Sequence, residues 1–369
     1  MGSGGVKRAL NAAYDGTAHT AVDEGATLTL ARDVIKSVSA IIDPVYLVGG
    51  SVRDTLMKRE CADFDFATPL GPDLIEQAVR DAGRRPYLMG KRFGTVAFKL
   101  EGLTVEVTTF RSEKYQDASR RPSVEFLPDL ERDLSRRDFT INAMALQGDE
   151  LIDLYGGQAD LEAGLVRAVG DPYARFSEDP LRMLRAARFV SQLDFRVDSG
   201  TLLAMAQLAP QILSVARERW MIELDRLLVG PGVEPALRLL AETDLLRFLL
   251  PEIGLQSEIA RDSGDEVQSL FDHTVEAVGS APNEIIPRWA ALLHDIAAPY
   301  LGANEMIGSR ISLPSISAQD ADREVVNHSR ECERALLGAE LVERTALYLK
   351  WPTHRREVVR QLVADASSG

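Results

Sequence analysis

Cysteine is nearly missing from this chain: 369 residues carry two, Cys61 and Cys332, too far apart to form a C-x-x-C pair. That excludes a disulfide framework and a zinc knuckle, and it fits a reducing compartment. Long apolar runs are missing too. No stretch approaches the ~18 apolar residues that a membrane span needs. The N-terminus also lacks the basic-then-apolar layout of a signal segment, so a cytoplasmic protein with no membrane partner is expected. "MGSGGV" has no Ser or Thr at position six, which argues against myristoylation. Basic residues are outnumbered, 42 Lys and Arg against 56 Asp and Glu, for a net charge of −14. A generally basic nucleic-acid coat is thereby excluded, although a local arginine-lined groove is not. What the chain does have is 45% hydrophobic residues, enough to fold most of its length into roughly two to four domains.

Short strands are predicted at 45–50 (VYLVGG), 63–67 (DFDFA), 94–100 (GTVAFKL) and 103–110 (LTVEVTTF), with helical stretches near 52–58 and 71–83. From about Asp171 the pattern changes to long helical periodicity with no convincing strand, broken by prolines at 210, 231, 235, 251 and 282. The polar, acidic stretch 255–268 is a candidate linker before a last helical segment. The fold class expected is α+β, a mixed sheet at the head followed by an all-helical remainder.

The stretch "LVGGSVRDTLMKRECADFDFAT" carries the chemistry. Side chains alternate along a strand, so Asp63 and Asp65 share one face while Phe64 and Phe66 point into the other. Two like charges there are tolerable if a divalent cation lies between them, and Mg2+, which prefers oxygen donors and keeps phosphate as a ligand, suits best. Gly49 and Gly50 end a strand and open a helix, presenting backbone N–H groups to an anion, with Arg53 one turn in to reach the same phosphates. Glu106, alternating with Val105 and Val107, is either a third carboxylate on the same site or a solvated residue at a sheet edge.

"GGSVRDTLMKRECADFDFAT", "KRFGTV", "VEVTTFRSEKYQDASRRPSVEF", "DLSRRDFTINAMAL", "DLYGGQADL" and "EDPLRMLRAARF" stand in this order along the chain. The chain thereby resembles the class II tRNA nucleotidyltransferases, the CCA-adding enzymes, and their poly(A) polymerase relatives, most closely over about 40–195. The resemblance implies a polymerase-β-like nucleotidyltransferase head at 30–165, a helical neck and body at 166–255 that selects nucleotide and binds RNA, and a helical tail at 266–369. It implies CTP and ATP as substrates and the tRNA acceptor end as partner. Asp63, Asp65 and Glu106 fall at its catalytic positions, Asp63 and Asp65 being the metal ligands. Gly50, Arg53 and Arg137 match positions that hold the incoming nucleotide; read without the family, Arg137 is a helix-start arginine paired with Asp138.

In "EDPLRMLRAARF", a helical reading makes Asp179 and Arg182 neighbours, with Arg185 further along the same flank. A carboxylate there accepts from the N4 amino group of cytosine or the N6 amino group of adenine, while the guanidinium donates to the adjoining ring nitrogen. Uracil and guanine would meet acceptor with acceptor. Arg188 lies nine residues from Asp179, half a turn round the helix, and its family role in nucleotide binding is carried over only by resemblance. The stretch from Arg111 to Glu125 resembles the family's flexible loop for switching from C to A addition, and "KRFGTV" resembles the CCA-adding form rather than the bacterial poly(A) polymerases. Open alternatives are an A-adding enzyme, a poly(A) polymerase, and an inactive tRNA-binding protein.

Beyond about 265, "FDHTVEAV" and "RWAALLHDIAAPY" resemble a degenerate HD phosphohydrolase domain, with His273, His294 and Asp295 at its ligand positions. Ala-Ala-Pro follows "HDI", and Arg334 stands where a histidine is expected. No hydrolase activity is therefore expected there. His328 and His354 read as surface residues and His19 as part of a loose N-terminal stretch.

Overall fold

The computed structural model describes residues 24–61, 63–114, 123–126, 129–262, 267–301 and 321–366. It divides into two compact units, one formed by 1–111, 126–130 and 145–152, the other by 112–125, 131–144 and 153–369.

The first unit is built on a sheet in which the strands run β3-β4-β5-β2-β1-β8-β9. These are β1 (Tyr46–Val48), β2 (Asp63–Thr68), β3 (Pro86–Tyr87), β4 (Thr95–Leu100), β5 (Leu103–Thr109), β8 (Met144–Gln147) and β9 (Glu150–Asp153); β6 (Arg111–Lys114) and β7 (Ser123–Phe126) form a separate two-stranded ribbon. β2 and β5 are parallel, and Asp65 lies opposite Glu106. β1 and β4 flank that pair as antiparallel strands. Period-two alternation buries Phe64 and Phe66 on β2, Val96 and Phe98 on β4, and Val105 and Val107 on β5. Helices α1 (Glu24–Ser39), α2 (Gly50–Leu56) and α3 (Pro72–Asp81) belong to this unit. Pro72 opens α3 with φ already suited to a helix, and Ile75 and Val79 are its buried face.

The second unit is mostly helical. After most of the β6–β7 ribbon it holds α4 (Leu130–Ser135) and α5 (Gly157–Glu162), continues through α6 (Pro172–Glu178) and α7 (Leu181–Leu193), then α8 (Ser199–Leu208), α9 (Arg217–Leu228) and α10 (Val233–Glu242). Asp171 caps α6 by accepting from the Tyr173 and Ala174 amides, which satisfies two otherwise orphaned donors. α7 is buried on nearly every side and packs against α9 and α10. Gly230 makes that approach possible, since a Cβ there would lie 2.1 Å from Ser191 Oγ. The short helices α11 (Leu245–Leu249) and α12 (Pro251–Gly254) follow. The tail contains α13 (Leu270–Ser280), α14 (Ile285–Leu293), α15 (Ala321–Tyr348) and α16 (Thr353–Ala366). Trp289 is its anchor: fully buried, edge-on to Trp351 at 4.8 Å between ring centres, its indole N–H donating to Asp225 at 2.8 Å.

Two expectations need correction. Strand structure does not stop at Asp171: β10 (Leu165–Val166) pairs in parallel with β11 (Arg196–Val197), and β12 (Ala260–Asp262) pairs with β13 (Val267–Ser269). Two- and three-residue strands are too short for alternation to register. The stretch 255–268 is therefore not a bare linker. It holds a 3-10 turn, Leu255–Glu258, and that hairpin, and Gln256 within it is fully buried, accepting from Thr274 and donating to the Asp295 carbonyl.

Among the described residues no helix is long and apolar enough to cross a membrane. The C-to-A switching loop expected between Arg111 and Glu125 is framed by β6 and β7, and its centre lies outside the described residues, as does His19. His328 falls on α15, with its side chain likewise outside them, and His354 is exposed.

Candidate active site

In the first unit, the carboxylate face is set by the sheet register. Asp63 and Asp65 are exposed on β2, and Glu106, also exposed, is paired across from Asp65 on β5. All three therefore share one face of adjoining strands. The backbone beneath them is fixed by Ser51, which is buried at the start of α2. Its hydroxyl donates to the Asp63 carbonyl at 3.3 Å and accepts from the Asp65 amide at 3.0 Å. A single side chain thus ties the glycine turn to the strand that carries the acids. Gly49 takes φ 70 and ψ −136, a conformation open to glycine but costly for other residues, and so turns the chain from β1 into α2. Arg53 folds back over Gly50 and holds both oxygens of Asp54 at 2.9 Å. Cys61, beside this turn, is kept as a thiol, because burial pushes its pKa up to about 11.

In the second unit a network of arginines and acids surrounds α6 and α7. Asp179 does not lie on a helix with Arg182, as the sequence reading has it. It leaves α6 in extended backbone, φ −144 and ψ 98, because Pro180 follows and disfavours a helical residue before it. Its Oδ1 accepts from the Leu181 amide at 3.2 Å and its Oδ2 accepts from Arg219 of α9 at 2.8 Å. Arg182 donates to Glu178 at 2.9 Å and to the carbonyls of Arg175 and Arg136 at 2.9 and 2.8 Å. The two proposed base readers are thus each held by other partners.

Arg137 pairs with the buried Asp133 at 3.0 Å, which also takes Arg136, and not with Asp138. Asp138 instead receives Arg185 through Nε and Nη2, at 2.8 and 2.6 Å. Burial alone would raise the Asp138 carboxyl, but Arg185, Asn142 and the Phe139 amide outweigh it and hold the pKa at about 2. Arg188 lies on the buried side of α7. It is 6% exposed, stacked 4.4 Å over Phe189 and paired with the buried Glu223 at 3.2 Å. Desolvation lowers its pKa to about 10 in spite of Glu223.

Ser51, Asp133, Arg219 and Glu223 are in contact with the candidate site residues or their backbone, and the sequence reading missed them. Arg219 and Glu223 are four apart on α9, a spacing shared by any surface ion pair, so nothing local distinguishes them.

In the tail, His273, His294 and Asp295 bring one ligand atom each within 4.8 Å of one another, and Arg334 of α15 donates to Asp295. Among the described residues this is the one group of three metal-ligating side chains gathered so closely. The acids of β2 and β5 share a face without being drawn together in that way.

Comparison with known proteins decides the relationship. Residues 45–167 match the family described as Poly A polymerase head domain, and residues 194–255 the family described as Probable RNA and SrmB- binding site of polymerase A. A CCA-adding enzyme of Geobacillus thermodenitrificans is 39% identical over 285 residues, covering 71% of this chain and 69% of that protein. This chain belongs to the CCA-adding enzyme family. Another family member, from Geobacillus sp. (strain WCH70), is 39% identical over 264 residues, 70% of this chain and 61% of that protein. The chain spans 59% and 51% of the family members from Bacillus velezensis and Bacillus licheniformis. In three dimensions it is similar to the Bacillus stearothermophilus CCA-adding enzyme in complex with CTP, with a TM-score of 0.58, 28% identity, and coverage of 92% of this chain and 82% of that one. The α+β head with a mostly helical remainder is the fold of this family.

Proposed function

We propose that this protein is a cytoplasmic tRNA nucleotidyltransferase that adds the 3′-terminal CCA to tRNA from CTP and ATP. The observation that carries this reading is the exposed face of Asp63, Asp65 and Glu106, in register on β2 and β5 and tied by Ser51 to the Gly49–Gly50 turn. Family membership and the likeness to an enzyme complexed with CTP support the substrate class.

In the reaction, the 3′-hydroxyl of the RNA attacks the α-phosphorus of the nucleotide, forming a phosphodiester while the bond to the β-phosphate breaks and pyrophosphate leaves. The oxygen-only donor set on an exposed face fits Mg2+, held by Asp63 and Asp65 with Glu106 alongside. Bound there, Mg2+ would supply charge neutralisation of the triphosphate and a more acidic attacking hydroxyl. Arg53 and the amides following Gly49 serve the phosphates in the head. In the helical unit Asp179 and Arg182 read the base, the carboxylate accepting from N4 of cytosine or N6 of adenine and the guanidinium donating to the ring nitrogen. Asp133 orients Arg137, and Asp138 orients Arg185. Uracil and guanine present the opposite donor and acceptor pattern and are rejected without a nucleic-acid template.

The direct test is extension of tRNA shortened stepwise from its 3′ end, with each labelled nucleotide supplied alone and together. CTP incorporated twice and ATP once supports the assignment. Extension only of substrates already ending in CC would replace it by A addition, and unlimited ATP incorporation by poly(A) synthesis.

A further inference from the structure

The reaction proposed above makes no use of the histidine and aspartate group in the tail. His294 Nε2 lies 3.2 Å from His273 Nε2 and 3.4 Å from Asp295 Oδ2, and His273 Nε2 lies 3.9 Å from the same oxygen. Metal–nitrogen bonds of about 2.0–2.1 Å in tetrahedral geometry separate ligand atoms by about 3.3–3.4 Å, so two of the three separations are those of a metal site and the third, at 3.9 Å, is somewhat longer. His294 is also oriented as such a ligand, with Nδ1 donating to the Ala291 carbonyl at 2.7 Å and Nε2 turned toward the group.

What sets the group apart is its fourth member. Arg334 Nη2, on α15, donates to Asp295 Oδ1, and Asp295 is only 5% exposed. Asp295 is the single carboxylate of the group, and a guanidinium does not give up its proton at any pH a protein survives. As metal ligands the two imidazoles would be neutral, leaving Asp295 to supply the one negative charge of the set. A divalent ion would be held by a ligand set whose single negative charge is already matched by the fixed positive charge of Arg334. Among the described residues Arg334 Nε is buried without a hydrogen-bond partner, and the contact that the guanidinium makes is the one from Nη2 to Asp295.

We propose that Arg334 is the resident cation of this group. It takes the electrostatic place of a metal ion, ties α15 to the turn after α14 through Asp295, and keeps divalent ions out of a ligand set otherwise shaped for one. The contrast with an ordinary supporting partner is one of sign. Loss of a hydrogen-bond partner that supports a ligating carboxylate weakens metal binding by about 10–100-fold, whereas loss of a resident cation strengthens it.

The test is titration of the full chain with Co2+, read by the visible absorption of a tetrahedral nitrogen-ligated ion, which octahedral oxygen sites in the head do not give. Arg334→Met keeps the unbranched stem and removes the charge. The expected result is no such absorption for the wild-type chain at concentrations where R334M takes up one equivalent, a difference of at least about tenfold in affinity. Adding His273→Ala to R334M should abolish it. One equivalent bound by the wild-type chain and lost in H273A would overturn the proposal whatever R334M does. So would a folded R334M that takes up none. Should R334M not fold, Arg334→Gln carries the same comparison.

Discussion

Arg219 reaches from α9 to Asp179 and donates to its Oδ2 at 2.8 Å, although the two are forty residues apart. The carboxylate assigned to reading the base amino group is therefore held by a neighbouring helix, at the one place where α6 ends and α7 has not begun. Replacing Arg219 with Met should raise KM for CTP and ATP by roughly tenfold, the order of one charge-assisted hydrogen bond, and reduce discrimination against UTP and GTP, with a smaller effect on kcat. Steady-state kinetics with each nucleotide checks this. Tighter CTP binding in R219M would instead mean that Arg219 blocks Asp179.

Glu223 is the counter-charge that lets Arg188 stay inside. With Arg188 6% and Glu223 4% exposed, Glu223→Ala leaves a buried guanidinium without its partner. A loss of about 3–5 kcal/mol is expected, measured by urea unfolding. A change below about 1 kcal/mol would show that water or another acid takes its place.

Much of this site was legible in the sequence, and the reasons for what was not are physical. DFDFA announced both its strand and the face its acids would take, because alternation is a property of single residues in order. Asp179 is extended where a helical reading puts it beside Arg182, because the three-residue spacing of the two favours a helix and Pro180 between them does not. Arg182, Arg185 and Arg188 do lie on α7, but two of them answer to partners remote in sequence, Asp138 and Glu223. Such pairings depend on which helices pack together, and no local pattern encodes that. The hairpin after 259 escaped for a simpler reason: three-residue strands carry too few alternations to be counted.

Asp138 links stability to acid. Its folded pKa of about 2 lies below the ordinary 3.8, so its contribution is complete above about pH 4 and is lost as pH falls through about 2. At neutral pH it amounts to roughly 2 kcal/mol. The stability of Asp138→Asn should therefore be lower than wild type at pH 7, and the gap should narrow between pH 4 and pH 2. Unfolding free energies across that range check it; a gap that does not change with pH would assign the loss to packing.

Gly157 opens α5 against the backbone of residue 140. A Cβ there would stand 2.2 Å from the Thr140 carbonyl oxygen and 2.9 Å from Met144 Cγ. Gly157→Ala should cost at least about 2 kcal/mol by overpacking. Gly71→Ala, with nothing within 4 Å of the added atom, should cost less than about 1 kcal/mol. Thermal melts of the two variants make the comparison.

The central claim is that the acids on the exposed face of β2 act in nucleotidyl transfer. Single-turnover incorporation of CTP into tRNA lacking its CCA end, compared between wild type and Asp63→Ala and Asp65→Ala, tests it most directly, with tRNA affinity measured in parallel. A fall of at least about a hundredfold in rate with tRNA binding retained is the result expected. Incorporation at the wild-type rate in either variant would contradict it.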